Sequence, residues 1–265
     1  MVRMLNEPGT QNSEPLLIAS LLRTPLATAP HQQIVYRDVA RYDYLTLKTR
    51  IGKLARALAD LGIAEGDTVA VMDWDSHRYL ECYFAIPMMG AVLLAVAAAD
   101  FHFKEFDERA VATTFFTTGT TGLPKAVCFT HRQIMIHTLA VLGALASPQH
   151  GQSFRQGDVY MPMTPMFHVH AWGLPYVATL LGVKQVYPGR YEPTRLLALR
   201  EREGVSYSHC VPTILQMLLD APESATTDLR GWKITVGGAA LGESLARAAV
   251  ARGIDVFAAY GMSET

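Results

Sequence analysis

Hydrophobic positions along this chain switch repeatedly between a period near two and a period near 3.6, and each switch predicts a change of element. Ile34-Val35-Tyr36 reads as a first strand, while Leu47, Ile51, Leu54, Leu58 and Leu61 share one helical face and predict a helix over 46–61 closed by Gly62. Residues 68–72 predict a second strand, 79–89 a largely buried helix, and 91–96 a third strand. Further strands at 126–129, 159–161, 184–187, 207–211, 233–236 and 255–259 interleave with helices at 131–145, 169–181, 193–202, 214–219 and 243–251. Strands separated by helical stretches require crossover connections, so the fold class is α/β, with layered, largely parallel sheets flanked by helices. So many strands imply two sheet layers. Residues 1–32, with Pro8, Pro15, Pro25 and Pro30, read as a loosely ordered lead-in with one short helix near Leu16 to Leu22.

Two places break the pattern. Between Val96 and Ala110 the chain leaves a buried strand and enters the mixed stretch 101–109 without a crossover helix, although a parallel connection takes about a dozen residues. At the other end, Tyr260-Gly261-Met262-Ser263-Glu264-Thr265 follows a strand directly and has the character of a site loop.

Composition narrows the class without naming a chemistry. At 265 residues, 50% hydrophobic and 18% charged, the chain has ample material for a large core. Its 23 basic and 24 acidic residues nearly cancel and form no basic block, which argues against a nucleic-acid partner. Cys82, Cys128 and Cys210 are far apart and sit in apolar stretches, so they read as buried free thiols of a reducing compartment. No run reaches the roughly 18 apolar residues of a membrane span, and Met1 to Pro8 reads as too short in its apolar part and too soon broken for a signal peptide. The expectation is a cytoplasmic protein.

The segment Thr117-Thr118-Gly119-Thr120-Thr121-Gly122-Leu123-Pro124-Lys125 concentrates hydroxyls, bare backbone and one cation in a short loop. Such a loop suits a polyphosphate, because glycines admit close approach while amides, hydroxyls and Lys125 supply donors and positive charge. Leu123 and Pro124 separate the second glycine from the lysine, so this is not the common nucleotide-hydrolase loop. On its own, it also fits a plain Gly/Thr-rich turn.

Taken with three downstream segments, the loop resembles the adenylate-forming superfamily of acyl-CoA synthetases, luciferase-like enzymes and adenylation domains. Those segments are Pro165-Met166-Phe167-His168-Val169-His170-Ala171-Trp172-Gly173, Gly237-Gly238-Ala239-Ala240-Leu241, and Tyr260 to Thr265. The resemblance implies that Thr117, Thr118, Gly119, Thr120, Thr121, Gly122 and Lys125 hold the β- and γ-phosphates of ATP, with Ala126 where the family usually has glycine. It implies that Tyr260, next to Gly261, packs on adenine, that Glu264 binds Mg²⁺, and that Thr265 contacts the α-phosphate. Alone, 263–265 would read as a solvated tail.

By the same resemblance His168 positions the substrate carboxylate, although a lone histidine in an apolar run is commonly a packing residue. Trp172 and Gly173, with His170, shape the acyl tunnel or its gate. Gly237, Gly238, Ala239 and Ala240 border adenine and the start of the acyl chain, and His209 resembles an acyl-pocket wall that simple core packing would equally explain. The implied chemistry is attack of a carboxylate on the α-phosphorus of ATP, followed by displacement of AMP by the thiol of coenzyme A. The Phe-His-Val-His-Ala-Trp segment is most similar to medium- and long-chain fatty acyl-CoA synthetases, which makes a fatty acid the expected substrate.

The resemblance also defines what is missing. By the resemblance, residues 33–265 are expected to correspond to part of the N-terminal AMP-binding domain, short of the ribose-binding aspartate, the hinge and the C-terminal domain with its lysine. A strand–helix portion between the counterparts of Val96 and Phe101 is absent as well. The expectation is a chain that releases little pyrophosphate by itself, or a non-catalytic nucleotide-binding remnant of the same fold.

Overall fold

The computed structural model describes residues 15–93, 106–117, 125–146 and 153–262, with the backbone alone at 115–117 and 125. From Ile18 the lead-in is ordered: a 3-10 turn (Ile18–Leu22) runs into α1 (Arg23–Thr28), and Ile18, Leu21 and Leu22 are buried in the main core. Pro25 lies within α1 and Pro30 follows it, so these prolines punctuate short helices while burial of the three side chains holds the segment; residues 1–14 lie outside the described residues.

Strands β1 (Gln33–Tyr36) and β2 (Ala40–Asp43) form an antiparallel hairpin, with Arg37 in the left-handed region at its turn. Asp43 then caps α2 (Tyr44–Asp60) by accepting the Thr46 N–H at 2.8 Å, and Leu47, Ile51, Leu54 and Leu58 are buried along one face. Helix α3 (His77–Met88), capped by Ser76, packs against α2. The buried Glu81 of α3 accepts from Arg50 and from Tyr42, each at 2.7 Å, tying α2, α3 and β2 together.

Residues 68–72 do not form the predicted strand. Their pairing is a single bridge between Thr68 and Val92, with Val69 N–H donating to Val92 at 2.7 Å, and Met72 is fully exposed. Among the described residues the run finds no further strand to pair its N–H and C=O groups, and strand propensity alone supplies none. Residues 94–96 of the third predicted strand lie outside the described residues.

Strands β3 (Val111–Thr117) and β4 (Lys125–Thr130) pair antiparallel as a separate two-stranded sheet, with Thr117 opposite Lys125. Residues 118–124 are too few for a parallel crossover, which takes about a dozen. Cys128 on β4 is exposed, contrary to the buried thiol expected, because it points to the uncovered face of this ribbon, while Cys82 and Cys210 are buried. Helix α4 (His131–Leu145) follows with a capping box between Thr130 and Gln133.

The remaining strands are β5 (Val159–Met163), β6 (Lys184–Tyr187), β7 (Tyr207–Cys210), β8 (Lys233–Val236) and β9 (Asp255–Ala258). With β1 and β2 they build a seven-stranded sheet in the order β2-β1-β6-β5-β7-β8-β9, parallel throughout except for the β1–β2 hairpin. Helices α5 (Leu174–Leu181), α6 (Pro193–Glu203), α7 (Pro212–Asp220) and α8 (Glu243–Ala251) connect them. Tyr160 and Tyr207 face Leu174 and Val177 of α5, whereas Met161, Met163 and Cys210 face Leu196, Leu215 and Leu218 of α6 and α7. Alternate strand residues thus serve two helical layers.

The helix predicted over 169–181 is broken. Residues Val169, His170, Ala171 and Trp172 have φ of 49°, 47°, 49° and 59°, so the chain makes a left-handed turn before α5 starts beyond Gly173. Pro175 fits the first turn of α5 but would clash with the carbonyl of residue 171 inside a continuous right-handed helix. Among the described residues no helix is long and apolar enough to cross a membrane.

Candidate adenylate site at the strand ends

Parallel strands present their C-terminal ends on one rim, and ligands of open α/β sheets bind where neighbouring crossovers leave in opposite directions. That point is the β5–β7 boundary, since β5 leads to β6 through α5 on one face and β7 leads to β8 through α7 on the other. The segments on this rim are 164–173 after β5, Val211 after β7, 237–240 after β8 and 259–262 after β9.

Four of the predicted site residues meet here. The Trp172 indole packs against His209, with ring centroids 5.0 Å apart, and lies over Gly237 and Gly238. A β-carbon on Gly237 would fall 2.9 Å from the Ala259 carbonyl oxygen and 3.1 Å from the Trp172 ring, so glycine is required for this approach. Gly238, at φ +75°, would place one 3.1 Å from Val211. Ala239, Ala240, Tyr260 and Gly261 are exposed on the same rim, Tyr260 to 88%. The Ala259 N–H donates to Val236 at 2.8 Å and thereby holds Tyr260 beside the Gly237–Gly238 turn.

The two histidines read from the sequence differ in kind. His168 is exposed at the end of the β5 loop and its carbonyl accepts from Ala171 at 3.1 Å. His209 is fully buried, with its ring nitrogens bonded to the Tyr160 hydroxyl at 2.8 Å and the Thr164 hydroxyl at 3.0 Å. Burial pushes its pKa down to about 3, so it is neutral. It forms the wall behind Trp172, with no face toward solvent.

An apolar cleft of about 320 Å³ opens on the other side of Trp172. Phe129, Ile134, Ile136, Val169 and Tyr176 line it, with Trp172 and Gly173 at its boundary with the rim. A β-carbon on Gly173, at φ +71°, would lie 2.6 Å from the His137 ring. His170 at the base of the cleft shares a 2.8 Å hydrogen bond with Thr113 of β3 and stands edge-on to Tyr83 at 4.2 Å. Burial holds its pKa near 3. These contacts fix a turn whose left-handed residues cost roughly 1–2 kcal/mol each, and such strain persists where packing over-determines it.

Of the phosphate-loop residues, Thr117 and Lys125 are brought opposite each other at the end of the β3–β4 hairpin from which the loop 118–124 leaves. Thr118, Gly119, Thr120, Thr121 and Gly122 lie outside the described residues, as do Ser263, Glu264 and Thr265. Sequence reasoning missed Thr113, Gln133 and Tyr176 in the cleft, and missed Asp75. The Asp75 carboxylate is buried, accepts the Met166 N–H of the β5 loop at 2.9 Å, and accepts the Tyr191 hydroxyl. The Tyr83 hydroxyl donates to the Met166 carbonyl at 2.7 Å, so the Met166 backbone is held at both its N–H and its C=O.

Comparison with known proteins agrees with this fold. The family model described as AMP-binding enzyme matches residues 22–100 and 95–265. A long-chain-fatty-acid–CoA ligase from Thermus thermophilus is 33% identical over 330 aligned positions, covering 99% of this chain and 60% of that protein. A medium-chain-fatty-acid–CoA ligase from Ectopseudomonas oleovorans is 26% identical, covering 86% of this chain and 54% of its own length. The N-terminal domain of FACL13 from Mycobacterium tuberculosis superposes with a TM-score of 0.82 at 22% identity, covering 94% of this chain and 76% of that one. The chain thus spans about 60% of the length of the first of these relatives, and an alignment of 330 positions against 265 residues means that the relative carries segments this chain does not. The two matched stretches of the family model overlap at 95–100, within the stretch whose sequence pattern predicts no crossover helix. On the family match across nearly all of its length, this chain belongs to the AMP-binding enzyme family.

Proposed function

We propose that this chain binds ATP and a fatty acid at the strand-end rim for activation of the carboxylate as an acyl-adenylate, the first half of an acid–thiol ligation with coenzyme A. The observation that carries this reading is the position of Trp172, which borders an apolar cleft of about 320 Å³ on one side and the Gly237–Gly238 turn on the other. Such a boundary puts an alkyl chain and a planar polar group on either side of one reacting centre. The names of the fatty-acid ligases similar to this chain support the substrate class.

In this reading Thr117, Thr118, Gly119, Thr120, Thr121, Gly122 and Lys125 hold the β- and γ-phosphates and disperse charge as pyrophosphate departs. Tyr260 and Gly261 border adenine with Gly238, Ala239 and Ala240, and Thr265 contacts the α-phosphate. His168, exposed at the junction, orients the carboxylate, and Trp172, Gly173 and Gly237, backed by His209, bound the start of the acyl chain. Mg²⁺ binds through one or two carboxylates plus phosphate oxygens, a donor set that Glu264 and the nucleotide meet, and it would neutralise charge at the reacting phosphates. The compartment we infer is the cytoplasm.

Calorimetric titration with Mg·ATP and with a non-hydrolysable acyl-sulfamoyl adenosine tests the proposal. Tight binding of the mimic by the wild-type chain, and loss of Mg·ATP binding in Lys125→Ala, are the expected results. Binding of ATP without the mimic would instead support a nucleotide-binding remnant, and binding of neither would contradict both readings. Pyrophosphate release with a fatty acid series then tells whether the bound pair reacts on this chain.

A further inference from the structure

The Asp75 carboxylate is the most buried acidic group at the strand-end rim, 2% exposed, and it lies outside the proposed adenylate site. It joins three segments far apart in the chain. Its backbone carbonyl accepts the Gly189 N–H after β6 at 2.9 Å, one carboxylate oxygen accepts the Tyr191 hydroxyl, and the other accepts the Met166 N–H at 2.9 Å. Both oxygens are therefore used as acceptors, which is the pattern of an ionised carboxylate. No cation is paired with it among the described residues. The Met166 peptide that it grips lies two residues before His168 and three before the left-handed turn that carries Trp172.

We propose that Asp75 is a positioning residue for the site loop: by holding the Met166 N–H while Tyr83 holds the Met166 carbonyl, it sets where His168 and Trp172 stand. The role rests on the proposed adenylate site for its functional meaning but not for its geometry. The ionised carboxylate makes the stronger, charge-assisted bond to the amide, whereas a protonated one offers a weaker acceptor and must place its own proton. Burial, with the charge of Asp73 behind it, raises the Asp75 pKa to about 7, against the opposing hydrogen bonds of Tyr191 and Met166. The other titratable groups facing it are Tyr79 and Tyr83 of α3, Tyr160 of β5, Tyr187 of β6 and Tyr191 after β6. Burial raises each of these tyrosines above its ordinary value, so none titrates near neutrality and Asp75 alone does. The loop is thus held firmly above pH 7 and loosely below it.

The test is amide hydrogen exchange of Met166 in the whole chain, expressed as protection relative to the Met161 amide of β5, at pH 6, 7 and 8. In the wild-type chain, protection is expected to rise about tenfold from pH 6 to pH 8, and Asp75→Ala is expected to lose about tenfold or more at pH 8. Asp75→Asn keeps an acceptor for Met166 but cannot ionise, so its protection should stay flat with pH. Wild-type protection in Asp75→Ala, or a wild-type pH profile in Asp75→Asn, would overturn the proposal. Acyl-sulfamoyl adenosine supplies the functional arm: its affinity for the wild-type chain should rise over the same interval and that for Asp75→Asn should not. If the mimic fails to bind the wild-type chain while Met166 still follows Asp75, the adenylate reading fails and the positioning role stands.

Discussion

Glu203 and Asp75 are both buried carboxylates, yet they sit at opposite ends of the sheet and are treated in opposite ways. Glu203, at the end of α6 and beside the N-terminal end of β6, is met by Lys184 at 2.9 Å, Arg41 at 2.8 Å and Arg202 at 3.0 Å. Burial alone would raise its pKa, but hydrogen bonds from Lys184 and Arg41 outweigh that and bring it down to about 2. At the same end, the buried Lys233 and Asp158 pair at 2.6 Å. Asp75, at the C-terminal ends, is satisfied by an amide and a phenol and titrates near 7. Charge at the N-terminal end is compensated and stays fixed, whereas the C-terminal end keeps a carboxylate whose charge can change. The compensated end is built for stability, and the other is built to respond.

The largest effect should come from breaking the compensated end. Glu203→Ala leaves Lys184 facing a buried gap and should cost about 3 kcal/mol, the low end for a broken buried pair because Arg41 and Arg202 keep about half of their surface in water; urea unfolding measures it. The stability that Glu203 contributes is present above about pH 4.5 and is lost as pH falls toward 2.

Asp75 should have the opposite sign. Its folded pKa is raised, so the folded chain binds more protons than the unfolded one between about pH 4 and 7, and stability falls as pH rises through that window. Asp75→Asn should therefore stabilise the fold by on the order of 2 kcal/mol at pH 8 and by little at pH 4. Equal effects at the two pH values would erase the contrast between the ends.

Two smaller substitutions sharpen it. Gly237→Ala pushes a methyl against the Ala259 carbonyl oxygen and Trp172; about 1.5 kcal/mol of destabilisation is expected by thermal melting, with loss of acyl-adenylate mimic binding. Val169→Gly removes a β-branched residue from the left-handed turn and should gain about 1 kcal/mol while weakening mimic binding. A loss of stability there would mean that the turn is unstrained.

Regular elements that bury one periodic face were legible in the sequence. Helix α8 matches the expected 243–251, and the parallel strands from β5 onward fall within a residue or two of their predicted spans. What failed depended on partners. The run 68–72 has strand composition but, among the described residues, a single bridge to Val92, and the apolar stretch 169–181 hid a left-handed turn that Pro175 and the packing of His170 impose. In the site, short glycine and aromatic motifs pointed to Trp172, Gly237 and Gly238. Asp75 was invisible because Asp73-Trp74-Asp75-Ser76 reads as a polar helix lead-in, while its partners Met166 and Tyr191 lie 91 and 116 residues away. Local pattern carries periodicity and motif chemistry, and long-range hydrogen bonds leave no such trace.

Hydrogen–deuterium exchange of the whole chain with and without acyl-sulfamoyl adenosine tests the central claim most directly, because it reads both ends of the sheet at once. The account predicts joint protection of 164–173, 237–240 and 260–265, with no change at 37–41 and 200–204 around Glu203. Protection at the Glu203 end, or none at the strand-end rim under saturating mimic, would contradict it.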